Sequence, residues 1–217
     1  MSDRHFSASY REPVVLGDGQ VVLLRLVRPE DKPLFVRGLG SMSQQSRYRR
    51  FFTSKDRLST EELRYLTELD GEDHLAIGAV RELEGGGEDG VGVARFVRLA
   101  GEPRLAEPAV VVIDEMQGRG LGRQLLLRLE AAARERGIER FRFEVLAENE
   151  PMRQLLGELA PEAEVREEGA VVSVECPLPE LPARPGREPA ALRGPAHRVL
   201  SWAAEGLVLV RRAFAWR

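Results

Sequence analysis

Leu121, Leu125 and Leu129 recur at the spacing of one helical face between Gly120 and Gly137, so the pattern predicts an amphipathic helix over residues 120–136 that ends at a glycine. Upstream, residues 13–27 hold two apolar runs around Gly17, Asp18 and Gly19 and predict a hairpin. Pro29, Glu30 and Asp31 suit a first helical turn, because proline is tolerated there and acids complement the helix dipole. That helix is expected to reach about Leu39. Short helices are expected over residues 43–52 and 59–69, the latter opened by Ser59 and Glu62 at the spacing of a capping box. Residues 74–83 and 91–99 read as an antiparallel hairpin joined by a glycine-rich acidic tract over 84–90. Strands are expected over 109–113 and 140–146. Asn149 is expected to cap a helix running to about Leu159, and Val165 with residues 171–174 to form a terminal hairpin around Glu168 and Gly169. The sum is an α+β chain with a mixed, mainly antiparallel sheet flanked by helices.

The pattern changes after Cys176. Six of the thirteen prolines lie between Pro177 and Pro195, the composition of a stiff extended linker. The domain is therefore expected over residues 13–178, after an N-terminal extension of residues 1–12, with a linker over 179–195. Val199, Trp202, Ala203, Leu207, Val210 and Phe214 then fall on one stripe, which predicts an amphipathic helix over 196–217. Docking on the parent domain or on a second copy in a homodimer is the plainer use of that stripe. Membrane contact, which Trp202 and Trp216 suggest, is the alternative.

With 217 residues, 43% of them hydrophobic, the chain has material for one main core. A net charge of -3, from 32 basic and 35 acidic residues, argues against a general nucleic-acid binder. The single cysteine excludes an internal disulfide, and the N-terminus carries no apolar signal region. No stretch approaches the roughly 18 apolar residues of a membrane span, so a cytoplasmic protein is expected. His74 lacks partners at metal-ligand spacing and reads as structural; no metal is expected.

The chemistry concentrates in Gln117, Gly118, Arg119, Gly120, Leu121 and Gly122, which join the apolar run Val110, Val111, Val112, Ile113 to the long helix. Glycines let a ligand approach the backbone, and the first N–H groups of a helix lack intrahelical acceptors, so such a loop can cradle a phosphate. The alternative is a tight strand-to-helix connection with no ligand. A dinucleotide fingerprint does not fit, because Arg123 stands where its third glycine belongs, and no Gly-Lys-Ser/Thr follows for a nucleoside triphosphate loop.

Gln117-x-x-Gly120-x-Gly122, with its preceding strand, long helix, next strand and Asn149, resembles the GNAT superfamily of acyl-CoA N-acyltransferases over roughly residues 21–176. Residues 26–31, 46–52 and 145–152 resemble more narrowly the GNAT domain of bacterial protein lysine acetyltransferases. The resemblance implies acetyl-CoA as donor, its pyrophosphate on the loop from Gln117 to Gly122, and its pantetheine along the preceding strand. Arg119 or Arg123 would add a charge-assisted contact, unless both are solvated surface arginines. Val112 and Ile113 would present a backbone N–H to the thioester oxygen. Asn149 would bond the pantetheine arm, cap its own helix, or both. The acceptor implied is an amine, a protein lysine in the narrower group, attacking directly in a ternary complex. A small-molecule amine acetyltransferase and an inactive CoA-binding regulatory module are the alternatives.

A lysine with pKa about 10.4 must lose a proton before attack, at roughly 4 to 5 kcal/mol at pH 7. The resemblance points to Glu107, ten positions before Gln117, as general base; an exposed strand-edge acid is the other reading, and Pro108 beside it is expected to displace the strand's start. Glu144 is the rival, or else a partner for Arg142 or another arginine. Leu156 stands where the family usually has its general-acid tyrosine, and the narrower group tends to lack it too. Arg47, Tyr48 and Arg49 would line the acceptor side or simply pack and solvate the second helix.

Overall fold

A computed structural model describes residues 4–44, 46–47, 56–146, 164–169 and 171–178. Their strands are β1 (Arg11–Val15), β2 (Val21–Leu26), β3 (His74–Glu82), β4 (Glu88–Leu99), β5 (Glu102–Val112), β6 (Arg140–Leu146), β7 (Glu164–Glu168) and β8 (Val171–Pro177). Their helices are α1 (Lys32–Gly40), α2 (Thr60–Thr67) and α3 (Leu121–Arg134). The strands form one sheet in the order β1-β2-β3-β4-β5-β6-β8-β7, antiparallel throughout except where β5 meets β6. That single parallel contact follows from α3, which carries the chain from one strand to the next as a crossover. The mixed, mainly antiparallel α+β architecture is the one expected.

Strand alternation sorts the sheet into two faces. Leu24, Ile77, Ala79, Ala94, Val110 and Phe141 are buried in one core with Leu121, Leu125 and Leu129 of α3. On the opposite face, α1 packs against β4 and α2 packs against α1. Arg25, in the middle of β2, belongs to this second face. Its Nη atoms hold the Asp31 carboxylate in two 2.7 Å bonds, and Nη2 also reaches Glu88 at 2.7 Å. Asp31 accepts the Arg28 N–H as well. Pro29–Asp31 is accordingly a 3-10 turn, and α1 begins only at Lys32, three residues later than the expected start.

Three expectations are corrected. Residues 4–12 of the expected N-terminal extension are part of the fold: β1 starts at Arg11, Phe6 and Tyr10 are buried, and the N–H groups of His5 and Phe6 bond Glu135 beyond α3. The strand expected over 109–113 begins at Glu102, because Ala100 and Gly101 form a tight turn, with Gly101 at φ 81°, that folds it back along β4. The acidic tract is also shorter, since β4 starts at Glu88 and pairs it with Glu82. The capping box is formed as expected: Glu62 N–H donates to Ser59 Oγ at 3.2 Å and Ser59 N–H to Glu62 Oε2 at 2.8 Å. Most of the second expected helix, the Asn149 helix, the linker and the C-terminal helix lie outside the described residues. Among the described residues no helix is long and apolar enough to cross a membrane.

Candidate active site

β5 and β6 pair only at Leu105 with Arg140 and at Ala106 with Phe141, after which β6 continues along β8 and leaves β5. A gap therefore opens beside residues 108–112. The direction of the β5 backbone follows from one bond: Ile113 N–H donates to Val91 O at 3.1 Å. Odd positions of β5 thus bond towards β4, and even positions turn towards the gap. Arg104 O, an even position, accepts from Glu139 N–H on the β6 side, in agreement.

This alternation explains Pro108. It pairs with Phe96 in the β4 ladder, and its missing N–H falls on the gap side, where no ladder bond is lost. Pro108 does not displace the strand's start. The alternation also separates the two residues expected to offer an N–H. Ile113 is engaged with Val91, whereas Val112 faces the gap; Val110, which sequence reasoning missed, faces it too. Both are buried. Parity could not be read without knowing how β4 and β5 are registered.

The loop after β5 is built for exposure of backbone donors. Gly118 at φ 72° and Gly120 at φ 84° take left-handed conformations, and a Cβ at either would meet nothing within 4 Å. Glycine is needed there for its dihedrals, not for space. Gly120 is the N-cap of α3 and has no side chain to satisfy the first helical N–H groups, such as those of Leu121 and Gly122. The first intrahelical bond is Gln124 N–H to Gly120 O. The N-terminus of a 14-residue helix thus faces the loop with its positive dipole end uncapped.

Side chains fix the loop in place. Gln117 Nε2 donates to Val112 O at 3.1 Å and to Asp114 Oδ1 at 3.2 Å. Asp114 accepts in turn from Ser43 N–H and Ser46 Oγ, which ties the loop to the segment after α1. Burial pushes the Asp114 carboxyl up, but those bonds outweigh it and hold it below the usual range. Arg119 reaches Asp18 at 2.5 Å and Gln20 at 3.4 Å, while its carbonyl accepts Gly17 N–H. Its guanidinium is bound to the β1–β2 turn, neither freely solvated nor aimed into the loop. Arg123 is half-buried in the first turn of α3.

Of the two candidate bases, Glu107 is 3% exposed, which excludes the reading as an exposed strand-edge acid. It pairs with Val97 on β4, which in turn pairs with His74 on β3, so the three residues form a row on the α1–α2 face. His74 stacks near Tyr65 and lies 3.3 Å from Arg95 Nη1; burial and then the Arg95 charge push it down to about 4. It is therefore neutral near pH 7, a structural residue as expected. Glu144 is half-buried on β6 and shares that face. Of the alternative partners, Arg142 is taken, because it bonds Glu175 and Glu102. Arg47 bonds Met42 O and Asp56. Tyr48, Arg49, Asn149 and Leu156 lie outside the described residues. No cluster of metal-ligating side chains occurs among the described residues.

A family model described as "Acetyltransferase (GNAT) family" matches residues 41–159. The chain is 34% identical over 176 residues to Acetyltransferase Pat of Mycolicibacterium smegmatis, covering 78% of this chain and 49% of that protein. It thus spans about half the length of that curated relative. It is also 30% identical over 140 residues to an acetyltransferase of Pseudomonas aeruginosa, covering 64% of this chain and 74% of the relative. The crystal structure of the GNAT domain of S. lividans PAT superposes with a TM-score of 0.67 at 32% identity, over 80% of this chain and 99% of that one.

Proposed function

Because this chain belongs to the GNAT family of acetyltransferases, we propose that it moves an acetyl group from acetyl-CoA to a lysine side chain of a protein. The uncapped α3 N-terminus beside the β5–β6 gap carries this reading. Backbone N–H groups from Gly118 to Arg123 receive the pyrophosphate, with the helix dipole favouring its charge. The pantetheine arm lies in the gap along β5, and Asn149 bonds it. The Val110 or Val112 N–H donates to the thioester oxygen, which gains charge as the amine attacks. The acceptor nitrogen bonds the carbonyl carbon, the C–S bond breaks, and CoA leaves as the thiolate, whose pKa near 8.5 for a cysteine-like sulfur lets it depart without a tyrosine. Both substrates are bound together and no acyl-enzyme forms.

Glu107 is the general base. It stands three residues before Val110, about 10 Å along the strand, so the proton passes through water. Its burial on the α1–α2 face supports this assignment over Glu144, which lies beyond the point where β5 and β6 part. The lysine acceptor is supported by the resemblance of residues 26–31, 46–52 and 145–152 to bacterial protein lysine acetyltransferases. Mass spectrometry of a lysate incubated with acetyl-CoA tests it: the protein should add acetyl groups to lysines and Glu107→Gln should largely abolish them. Turnover on free amines with none on proteins would replace the protein acceptor by a small amine.

A further inference from the structure

Residues paired across four strands share a face, and Arg25, Gly78, Val93 and Val111 form one such row from β2 to β5. A cavity of about 770 Å³, counting the space at its mouth, lies over this row. Leu34, Phe35 and Leu39 of α1 roof it, and Ile113 lies at its β5 end. Arg25 closes the other end, already paired with Asp31 and Glu88. Gly78 lies midway along the floor, between Val93 and Arg25, and carries no side chain. Gly78 has an ordinary backbone conformation, so its missing side chain is not a dihedral requirement.

Resting on the donor reading above, we infer that this cavity is an acyl-chain channel and that the protein transfers straight acyl groups longer than acetyl. Val111 stands between Val110 and Val112, whose N–H groups face the gap in which the thioester would lie, so the channel starts where an acyl group leaves the thioester carbon. It crosses three strand spacings, about 14 Å. An extended chain advances about 1.2 Å per bond, so this length takes on the order of ten bonds. Among the described residues, the walls are apolar apart from Arg25, Asp31 and Arg95. Arg25 and Asp31 are paired with each other, and Arg95 is bound to Leu66 O and lies against His74. A hydrocarbon chain fits such a wall, whereas the ammonium of an acceptor lysine would meet no uncommitted carboxylate among the described residues there. In transfer, the acceptor nitrogen takes the acyl carbon, the C–S bond breaks and CoA leaves, as with acetyl.

Calorimetry with acetyl-, butyryl- and octanoyl-CoA, and mass spectrometry of acyl transfer to lysate lysines, test this. Burying a methylene strengthens binding by up to about fourfold, so octanoyl-CoA should bind at least tenfold tighter than acetyl-CoA and be transferred. Gly78→Val, which fills the channel midway, should lower the octanoyl-to-acetyl affinity ratio at least tenfold. Gly78→Ala, whose Cβ would meet Val27 Cγ2 at 3.4 Å, should lower it less and serves if the valine variant does not fold. Acetyl-CoA binding with octanoyl-CoA no tighter and not transferred would overturn this inference alone, as would an unchanged ratio in both folded variants. Failure to bind any CoA thioester would overturn the donor reading and this inference with it.

Discussion

The side-chain amide of Gln117 donates to the main-chain carbonyl of Val112 at 3.1 Å, so the loop that opens α3 is anchored to the last residue of β5. Val112 O points to the gap side and has no β4 partner; Gln117 supplies one. The glycines that follow are thereby held at a fixed place relative to the strand, which sets the distance between an anion on the loop and a group lying along β5.

Gln117→Ala should weaken acetyl-CoA binding while leaving the fold intact. A hydrogen bond of this kind contributes about 0.5–1.5 kcal/mol, so calorimetry should read a roughly two- to tenfold loss. An unchanged affinity would mean that the anchor does not position the loop.

Glu130 is 3% exposed on α3, its Oε1 has no hydrogen-bond partner among the described residues, and burial pushes its carboxyl up to about 8. The unfolded chain ionises it at the ordinary value of 4.5, so between 4.5 and about 8 the folded state holds one proton more and stability falls as pH rises. Glu130→Gln should flatten that slope. The two proteins should diverge by on the order of 3 to 5 kcal/mol across the window in denaturant titrations. Parallel pH profiles would contradict the burial of an uncompensated carboxyl.

Asp31→Asn should destabilise the fold by about 3 kcal/mol, because it leaves half of a buried ion pair, with side chains 4% and 7% exposed, facing Arg25. Burial raises the Asp31 carboxyl, but bonds from Arg25 and the Arg28 N–H outweigh it and hold it low. Its contribution is therefore present above the unfolded value of 3.8 and lost as pH falls through the lower folded one. Equal denaturation midpoints for the two proteins near pH 7 would show that Glu88 alone suffices for Arg25.

What the sequence made legible was local. The Ser59 and Glu62 box, the leucine stripe of α3 and the glycines of the loop act within four residues, and each is found where expected. Long-range relations were hidden. The β4–β5 turn at Ala100 and Gly101 was missed because Pro108 looks like a strand breaker, and Pro108 is tolerated only because β6 has left β5 beside it. Val110 was missed because its exposure to the gap depends on the register with β4. Arg25 and Glu130 are charged residues at apolar-facing positions, where residue type argued against burial and only the packing of α1 and α3 reveals it.

Calorimetry of acetyl-CoA against the protein and Gly120→Glu tests the central claim, that the uncapped α3 N-terminus is the donor site, most directly. Gly120 sits at φ 84° beside the first helical N–H groups, so a glutamate there adds negative charge to the proposed pyrophosphate site. Gly120→Asn, which tolerates this conformation, controls for backbone strain. The account predicts saturable binding to the parent protein, at least tenfold weaker binding to Gly120→Glu, and a smaller loss in Gly120→Asn. No binding to the parent protein, or equal binding to Gly120→Glu, would contradict it.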